Sequence, residues 1–104
     1  MLDARQPGTV LKFTAKPGKG ERLFELTNSL HYTGDPDGPT DWVLCRAEDD
    51  PDTLWAFEFY KDDASFERHF SDPVVDAGHD EVIDLLAGPP MRVTVRPVFS
   101  AFAG

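Results

Sequence analysis

The stretch Leu54 to Lys61 reads Leu-Trp-Ala-Phe-Glu-Phe-Tyr-Lys, an alternation with large apolar groups on both sides. In an extended chain Trp55, Phe57 and Phe59 point one way. Leu54, Ala56 and Tyr60 point the other way, with Glu58 among them. A strand of this kind keeps water off neither face by itself, so the sheet that contains it has to be covered twice. Bare aromatic sheet faces are large apolar patches that monomers rarely keep.

The rest of the sequence supplies helices for only one of those covers. Met1 to Gly8 reads as a flexible leader closed by Pro7-Gly8, and residues 9–104 read as a single domain. Thr9 to Lys16 alternates as a strand, with Leu11, Phe13 and Ala15 on one side. After the turn Pro17-Gly18-Lys19-Gly20, the spacing of Leu23, Leu26, Thr27 and Leu30 changes to i, i+3, i+4, i+7, one stripe of a helix that ends near His31 or Tyr32. Residues 33–40 are dense in Gly, Pro and Asp and read as an exposed loop. Asp41 to Glu48 alternates again, with Trp42 and Leu44 opposite Val43 and Cys45. Joined through the turn at 49–53 to the aromatic strand, it forms a β-hairpin. Asp62 or Asp63 starts a short helix carrying Phe66 and Phe70. Asp72 and Pro73 start another, as N-cap and first helical residue. Its inner stripe reads Val75, His79, Val82, Ile83 and Leu86, and Gly88-Pro89-Pro90 stops it. Met91 to Phe99 is the last strand.

The order β-α-β-β-α-β, with the second helical segment split at Asp72-Pro73, is that of an α+β, ferredoxin-like antiparallel sheet with its helices on one face. The uncovered face then calls for a second copy, a face-to-face homodimer. The alternative cover is the leader or the 33–40 loop, both poor in apolar residues.

Composition removes several function classes. Ten basic against nineteen acidic residues give a formal charge of −9, and no Lys/Arg cluster offsets it, so nucleic acid and anionic lipid surfaces are not expected partners. No apolar run approaches the ~18 residues of a membrane span, the N-terminus lacks a secretory pattern, and the cytoplasm is the expected compartment. A single cysteine, Cys45, rules out an internal disulfide and a multi-cysteine metal site. Phosphate-loop, dinucleotide and Gly-x-Ser-x-Gly motifs are missing, and the acidic stretch Glu48 to Asp52 lacks calcium-loop spacing. Neither a metal nor a cofactor is expected.

Four segments resemble the antibiotic-biosynthesis monooxygenase (ABM) family of dimeric α+β barrels. They are Leu11-Lys12-Phe13-Thr14-Ala15-Lys16-Pro17-Gly18-Lys19, Phe57-Glu58-Phe59-Tyr60, Ala64-Ser65-Phe66-Glu67-Arg68-His69-Phe70 and Leu85-Leu86-Ala87-Gly88-Pro89. The resemblance implies a homodimer with a hydrophobic pocket between sheet and helices. It also implies, from the characterised members, oxidation of quinols or polycyclic aromatics by O2 without metal or flavin. A haem-degrading branch of the same fold is similar around Tyr60 and the segment Ser71 to His79, where that branch has a tryptophan and a ligating histidine. The asparagine of its first strand has no counterpart there, since Asn28, the only asparagine, lies in the first helix.

The candidate chemistry follows from residue type. His69 or His79 is the candidate base for a phenolic proton, because imidazole titrates near neutral pH. Tyr60 is the candidate hydrogen-bond donor, and Trp42, Trp55, Phe57, Phe59 and Phe13 are candidate walls for an aromatic substrate. Glu58 needs a cation, for which Arg46 on the hairpin strand is a candidate, and Cys45 reads as a small buried side chain. The leading expectation is a cofactor-independent monooxygenase. The alternatives are a non-catalytic dimeric module for a small hydrophobic ligand and, behind it, a haem-binding relative.

Overall fold

The computed structural model describes residues 2–32 and 34–101. The elements follow in the order β1 (Gly8–Thr14), α1 (Gly20–Leu30), β2 (Asp41–Arg46), β3 (Thr53–Phe59), α2 (Asp63–Phe70), α3 (Pro73–Asp84) and β4 (Met91–Val95). The four strands form one sheet in the order β2-β3-β1-β4, with every neighbouring pair antiparallel. This is the ferredoxin-like α+β fold that the sequence implies.

Local chemistry sets the element ends. Asp62 accepts the Ser65 N–H at 2.8 Å and caps α2, while Asp72 accepts the Val74 N–H at 2.9 Å ahead of Pro73 and caps α3. α1 has no cap of its own. Asp52, from the β2–β3 turn, supplies one by accepting the Gly20 N–H at 2.9 Å and the Gly18 N–H at 3.2 Å. The approach is so close that a Cβ on Gly20 would sit 2.6 Å from the Pro51 carbonyl oxygen.

The helix-covered side of the sheet carries the apolar core of Ala15, Leu23, Leu26, Leu54, Val82 and Leu86, with Phe13, Phe24, Leu30, Leu44 and Leu85 packed around it. α3 differs from the expected stripe. Ile83 is 52% exposed, and Leu86 lies beyond the helix, in an isolated bridge with Ala15. The cause is Gly78, which packs directly on Leu30 of α1, where a Cβ would come within 2.9 Å. That contact rotates α3 so that Val75, Gly78 and Val82 face inward and His79 moves to the flank, where it is exposed rather than pointed at the sheet.

The other side has no helix. Register places Asp41, Val43 and Cys45 of β2, Trp55, Phe57 and Phe59 of β3, Gly8, Val10 and Lys12 of β1, and Met91, Val93 and Val95 of β4 on it together. Val43, Met91 and Val93 are 48%, 44% and 48% exposed. Cys45 is likewise exposed on this face, not buried, because it is on the side the helices leave open. The leader covers one corner. Pro7 accepts the Tyr60 N–H at 2.9 Å, and the buried Leu2 lines a groove of about 530 Å³ with Val43, Phe57 and Phe59. Among the described residues no helix is long and apolar enough to cross a membrane.

Candidate functional site

The helix-covered side changes character along its length. Where β1 ends and β3 begins it is the apolar core; where β1 begins and β3 ends it is polar and aromatic. One row of the sheet there reads Trp42, Glu58, Thr9, Thr94 across all four strands. Thr9, Glu58 and Tyr60 are 0%, 8% and 1% exposed. Buried polar groups need partners, since an unpaired one costs about 1–3 kcal/mol. The Thr9 hydroxyl has none among the described residues.

Glu58 has one. His31, the residue that closes α1, presents Nε2 to Glu58 Oε2 at 2.9 Å and Nδ1 to the Thr27 carbonyl oxygen at 2.8 Å. Its ring lies 4.2 Å from that of Trp42, centroid to centroid. The two side chains are only 6% and 10% exposed. Burial opposes a charge on His31, but the hydrogen bond and negative charge of Glu58, with the Thr27 carbonyl, outweigh it and leave the imidazole pKa above its ordinary value. Arg46 does not serve Glu58. It pairs in register with Leu54, four residues before Glu58, and its guanidinium bonds Glu21 and covers Phe24.

Tyr60 follows the end of β3 and is enclosed by Phe66, His69 and Phe70, with ring centroids at 5.1, 5.2 and 5.6 Å. Burial first, then the charge of Glu58, pushes its pKa far up, with Arg92 opposing. The phenol therefore stays protonated and can act as a hydrogen-bond donor; its hydroxyl has no bond among the described residues.

His69 belongs to α2, and its Nδ1 lies 2.7 Å from Asp35 Oδ2. A carboxylate at Nδ1 fixes the tautomer with the proton on that nitrogen and leaves the Nε2 lone pair free to take one. The 34–40 segment is thus not simply a solvent loop. Asp35 accepts the Asp37 N–H at 2.9 Å, and Arg68 Nε and Nη2 donate to Asp37 Oδ1 at 3.0 and 2.9 Å, so the segment is strapped to α2. Arg92 of β4 lays its guanidinium 4.1 Å from the Phe70 ring centre, on the same side of the sheet. The His79 ring centre stands 6.1 Å from that of Phe70; although the residue as a whole is exposed, partial desolvation of the ring on that side, and then the nearby His69, lowers its pKa.

His69 and Tyr60 thus meet directly, and His79 joins them through Phe70. Trp42 is beside them on the helix side, whereas Phe13 packs with the apolar core. Trp55, Phe57 and Phe59 face the opposite side of the sheet. Asn28 is exposed on α1 and does not reach the site. His31, Asp35 and Arg92 complete the cluster without having been singled out by sequence. A signal existed for His31, which follows Thr27 by four residues and so extends the α1 stripe. For Asp35 none did, because nothing in a turn-rich loop connects it to a histidine 34 positions later.

The family model for antibiotic biosynthesis monooxygenases matches residues 8–81. Among solved structures, a Chloroflexus aurantiacus protein assigned to these monooxygenases superposes with a TM-score of 0.77 at 23% identity, over 95% of this chain and 99% of that one. A Nitrosomonas europaea protein with the same assignment gives 0.79 at 22% identity, over 95% and 96%. A variant of SnoaB, a cofactor-independent oxygenase from Streptomyces nogalater, gives 0.75 at 18%, over 94% and 98%. At these identities the structural likeness is one of fold. No curated protein sequence matches the chain significantly. The family match spans most of the chain, including three of its four strands and the Tyr60–His69 region, and on it the chain belongs to the antibiotic biosynthesis monooxygenase family.

Proposed function

We propose that this protein is a homodimeric monooxygenase that oxidises a quinol or a polycyclic, polyketide-type aromatic with O2 and without a bound cofactor. The observation that carries the reading is the Asp35–His69 pair beside Tyr60: a base whose tautomer is fixed by a carboxylate, against a phenol kept neutral by burial. His69 Nε2 removes a proton from the substrate, leaving a delocalised anion. That anion passes one electron to O2, and the resulting substrate radical and superoxide combine into a peroxide anion on a ring carbon. Protonation of the peroxide, loss of the remaining hydrogen from that carbon and cleavage of the O–O bond give a carbonyl and water.

In this reading Tyr60 donates to the developing oxyanion and Arg92 adds positive charge nearby, each oriented before reaction. Phe66, Phe70 and Trp42 form the aromatic wall, and His79 is a second proton acceptor at the flank. Trp55, Phe57 and Phe59 serve the subunit contact, where a standard interface needs about 800 Å² from each partner.

Oxygen-electrode measurements with a panel of anthrones and quinols test this. Uptake should occur with at least one compound and fall by about 100-fold or more in His69→Ala, the usual scale for loss of a general base. The groove beside Leu2 favours a second reading, a non-catalytic module binding a small hydrophobic ligand there. No uptake with any compound, together with saturable binding that Phe57→Lys abolishes, would favour it.

A further inference from the structure

The oxidation proposed above takes a proton from the substrate and must return one to the peroxide, and His69 accounts only for the first. We propose that Glu58 is the catalytic group that returns it, and that His31 is the positioning residue that stores that proton for Glu58. This inference rests on the oxygenase reading.

The geometry leaves the pair one proton richer than a neutral imidazole beside a carboxylate. Both ring nitrogens of His31 face hydrogen-bond acceptors, the Thr27 carbonyl at 2.8 Å and Glu58 Oε2 at 2.9 Å. A neutral imidazole has one N–H and can satisfy one acceptor. The other contact therefore needs a second proton, on the ring or on the carboxyl. Trp42 covers the His31 ring, and with 6% of the side chain exposed the proton is held away from bulk water.

Glu58 is the outlet. Its second oxygen has no partner among the described residues, yet it is not among the sealed, unsatisfied atoms, of which Thr9 Oγ1 is the one found. Glu58 and Tyr60, two residues apart on one strand, share the covered side of the sheet. Glu58 bonds His31 at the end of α1 and acts electrostatically on Tyr60, which follows its own strand, and on His79 of α3; Arg92 of β4 and Asp35 of the docked loop act on the same Tyr60, and His69 of α2, Asp76 of α3 and Arg92 on the same His79.

The step balances. The Nε2–H bond of His31 breaks as Glu58 Oε2–H forms. The neutral carboxyl turns about its terminal torsion, a soft two-fold rotation. Its O–H bond then breaks as the peroxide O–H forms, and His31 is left neutral, still donating Nδ1–H to Thr27. O2 remains the oxidant, and the pair moves only a proton, which it regains from solvent through Glu58 as His69 releases the one taken from the substrate. The same pairing raises the imidazole pKa of His31, whereas His79 is lowered, and environments that separate two titrating groups in this way mark acid and base roles.

Two measurements test the assignment. In wild-type protein at neutral pH, ¹⁵N NMR of the His31 ring should show no free lone-pair nitrogen. A ring nitrogen with the shift of an unprotonated imidazole overturns the proposal unless Glu58 carries the proton, which the ¹³C shift of its carboxyl reports. In steady-state oxygen uptake, Glu58→Gln and His31→Gln, which keep a hydrogen-bonding group but carry no transferable proton, should lower kcat by about tenfold or more. KM should stay within about twofold, since uniform binding is untouched. The alkaline limb of the wild-type kcat profile, where the stored proton is lost, should disappear in both. Variants that keep that limb and full kcat overturn the role of the pair while leaving the oxygenase reading standing. A wild type with no uptake on any quinol or anthrone overturns the reading itself, and this inference with it.

Discussion

Replacing Glu58 by glutamine removes one charge from a buried pair and changes almost nothing in volume, so its effect on stability isolates the electrostatics of His31. In the wild type the folded pKa of His31 is raised above its ordinary 6.5. The pair's contribution is therefore fully present below about pH 6.5, the unfolded value, and is lost as pH rises through the folded pKa. In the Glu58→Gln variant, burial is the main influence left and the folded pKa falls below 6.5, because a charged ring would have no counter-ion. The ring instead stays neutral in the fold while the unfolded chain protonates, which costs the variant up to about 1.4 kcal/mol one pH unit below the ordinary value, added to what the wild-type pair gains there. Above the folded pKa of the wild type both rings are neutral, the pair's contribution is gone and the difference closes. Urea unfolding at fixed protein concentration reads this directly. With a slope of about 1–3 kcal/mol/M, the midpoints of the two proteins should lie about 0.5 M or more apart at pH 5.5 and draw together by pH 9. The depressed carboxylates Asp3, Asp37, Asp50 and Asp62 lose their contribution only as pH falls below this window, and His79, whose lowered pKa Glu58 partly holds up, falls further in the variant and widens the gap in the same direction. A gap that is the same at both pH values would refute the buried-pair argument.

Other consequences are more local. Asp35→Asn should leave far-UV circular dichroism unchanged but lower kcat by about 10- to 100-fold, because the carboxylate no longer fixes and supports the base. Gly20→Ala should lower stability by about 1–3 kcal/mol in thermal unfolding, since its new methyl group would press on the Pro51 carbonyl and disturb the Asp52 cap. Phe57→Lys should convert a species of twice the 11.6 kDa chain mass into the single chain in sedimentation velocity, since a charge in the middle of the open face cannot be buried against a second sheet without a partner.

The fold was legible because its signals are periodic and local. The alternation at 54–61, the α1 stripe and the caps at Asp62 and Asp72 each fix an element without reference to the rest of the chain. The two-sided apolar strand also foretold the uncovered aromatic face. Errors arose where a distant contact decides the geometry. Gly78 against Leu30 rolls α3, exposing Ile83 and moving His79 outward, and no periodicity within α3 reports that. The site was half legible for the same reason. Tyr60 and His69 stand out from the sequence as candidate side chains on neighbouring elements, and the structure brings their rings within 5.2 Å. Their supporting groups, by contrast, arrive from a loop, a helix end and an edge strand, as Asp35, His31 and Arg92. Such pairings across tens of residues exist only once the sheet register is set. The expected partner of Glu58, Arg46, failed on that register alone.

The central claim is a division of labour: chemistry on the helix-covered side near Tyr60 and His69, subunit contact on the open aromatic side. Mapping the binding of an anthraquinone-type product by ¹H–¹⁵N and aromatic ¹H–¹³C NMR tests it most directly. The account predicts shift changes at Tyr60, His69, Phe70 and Arg92, with Trp55, Phe57 and Phe59 unmoved. Changes confined to Trp55, Phe57, Phe59 and Leu2 would contradict it, placing the ligand in the groove of the open face.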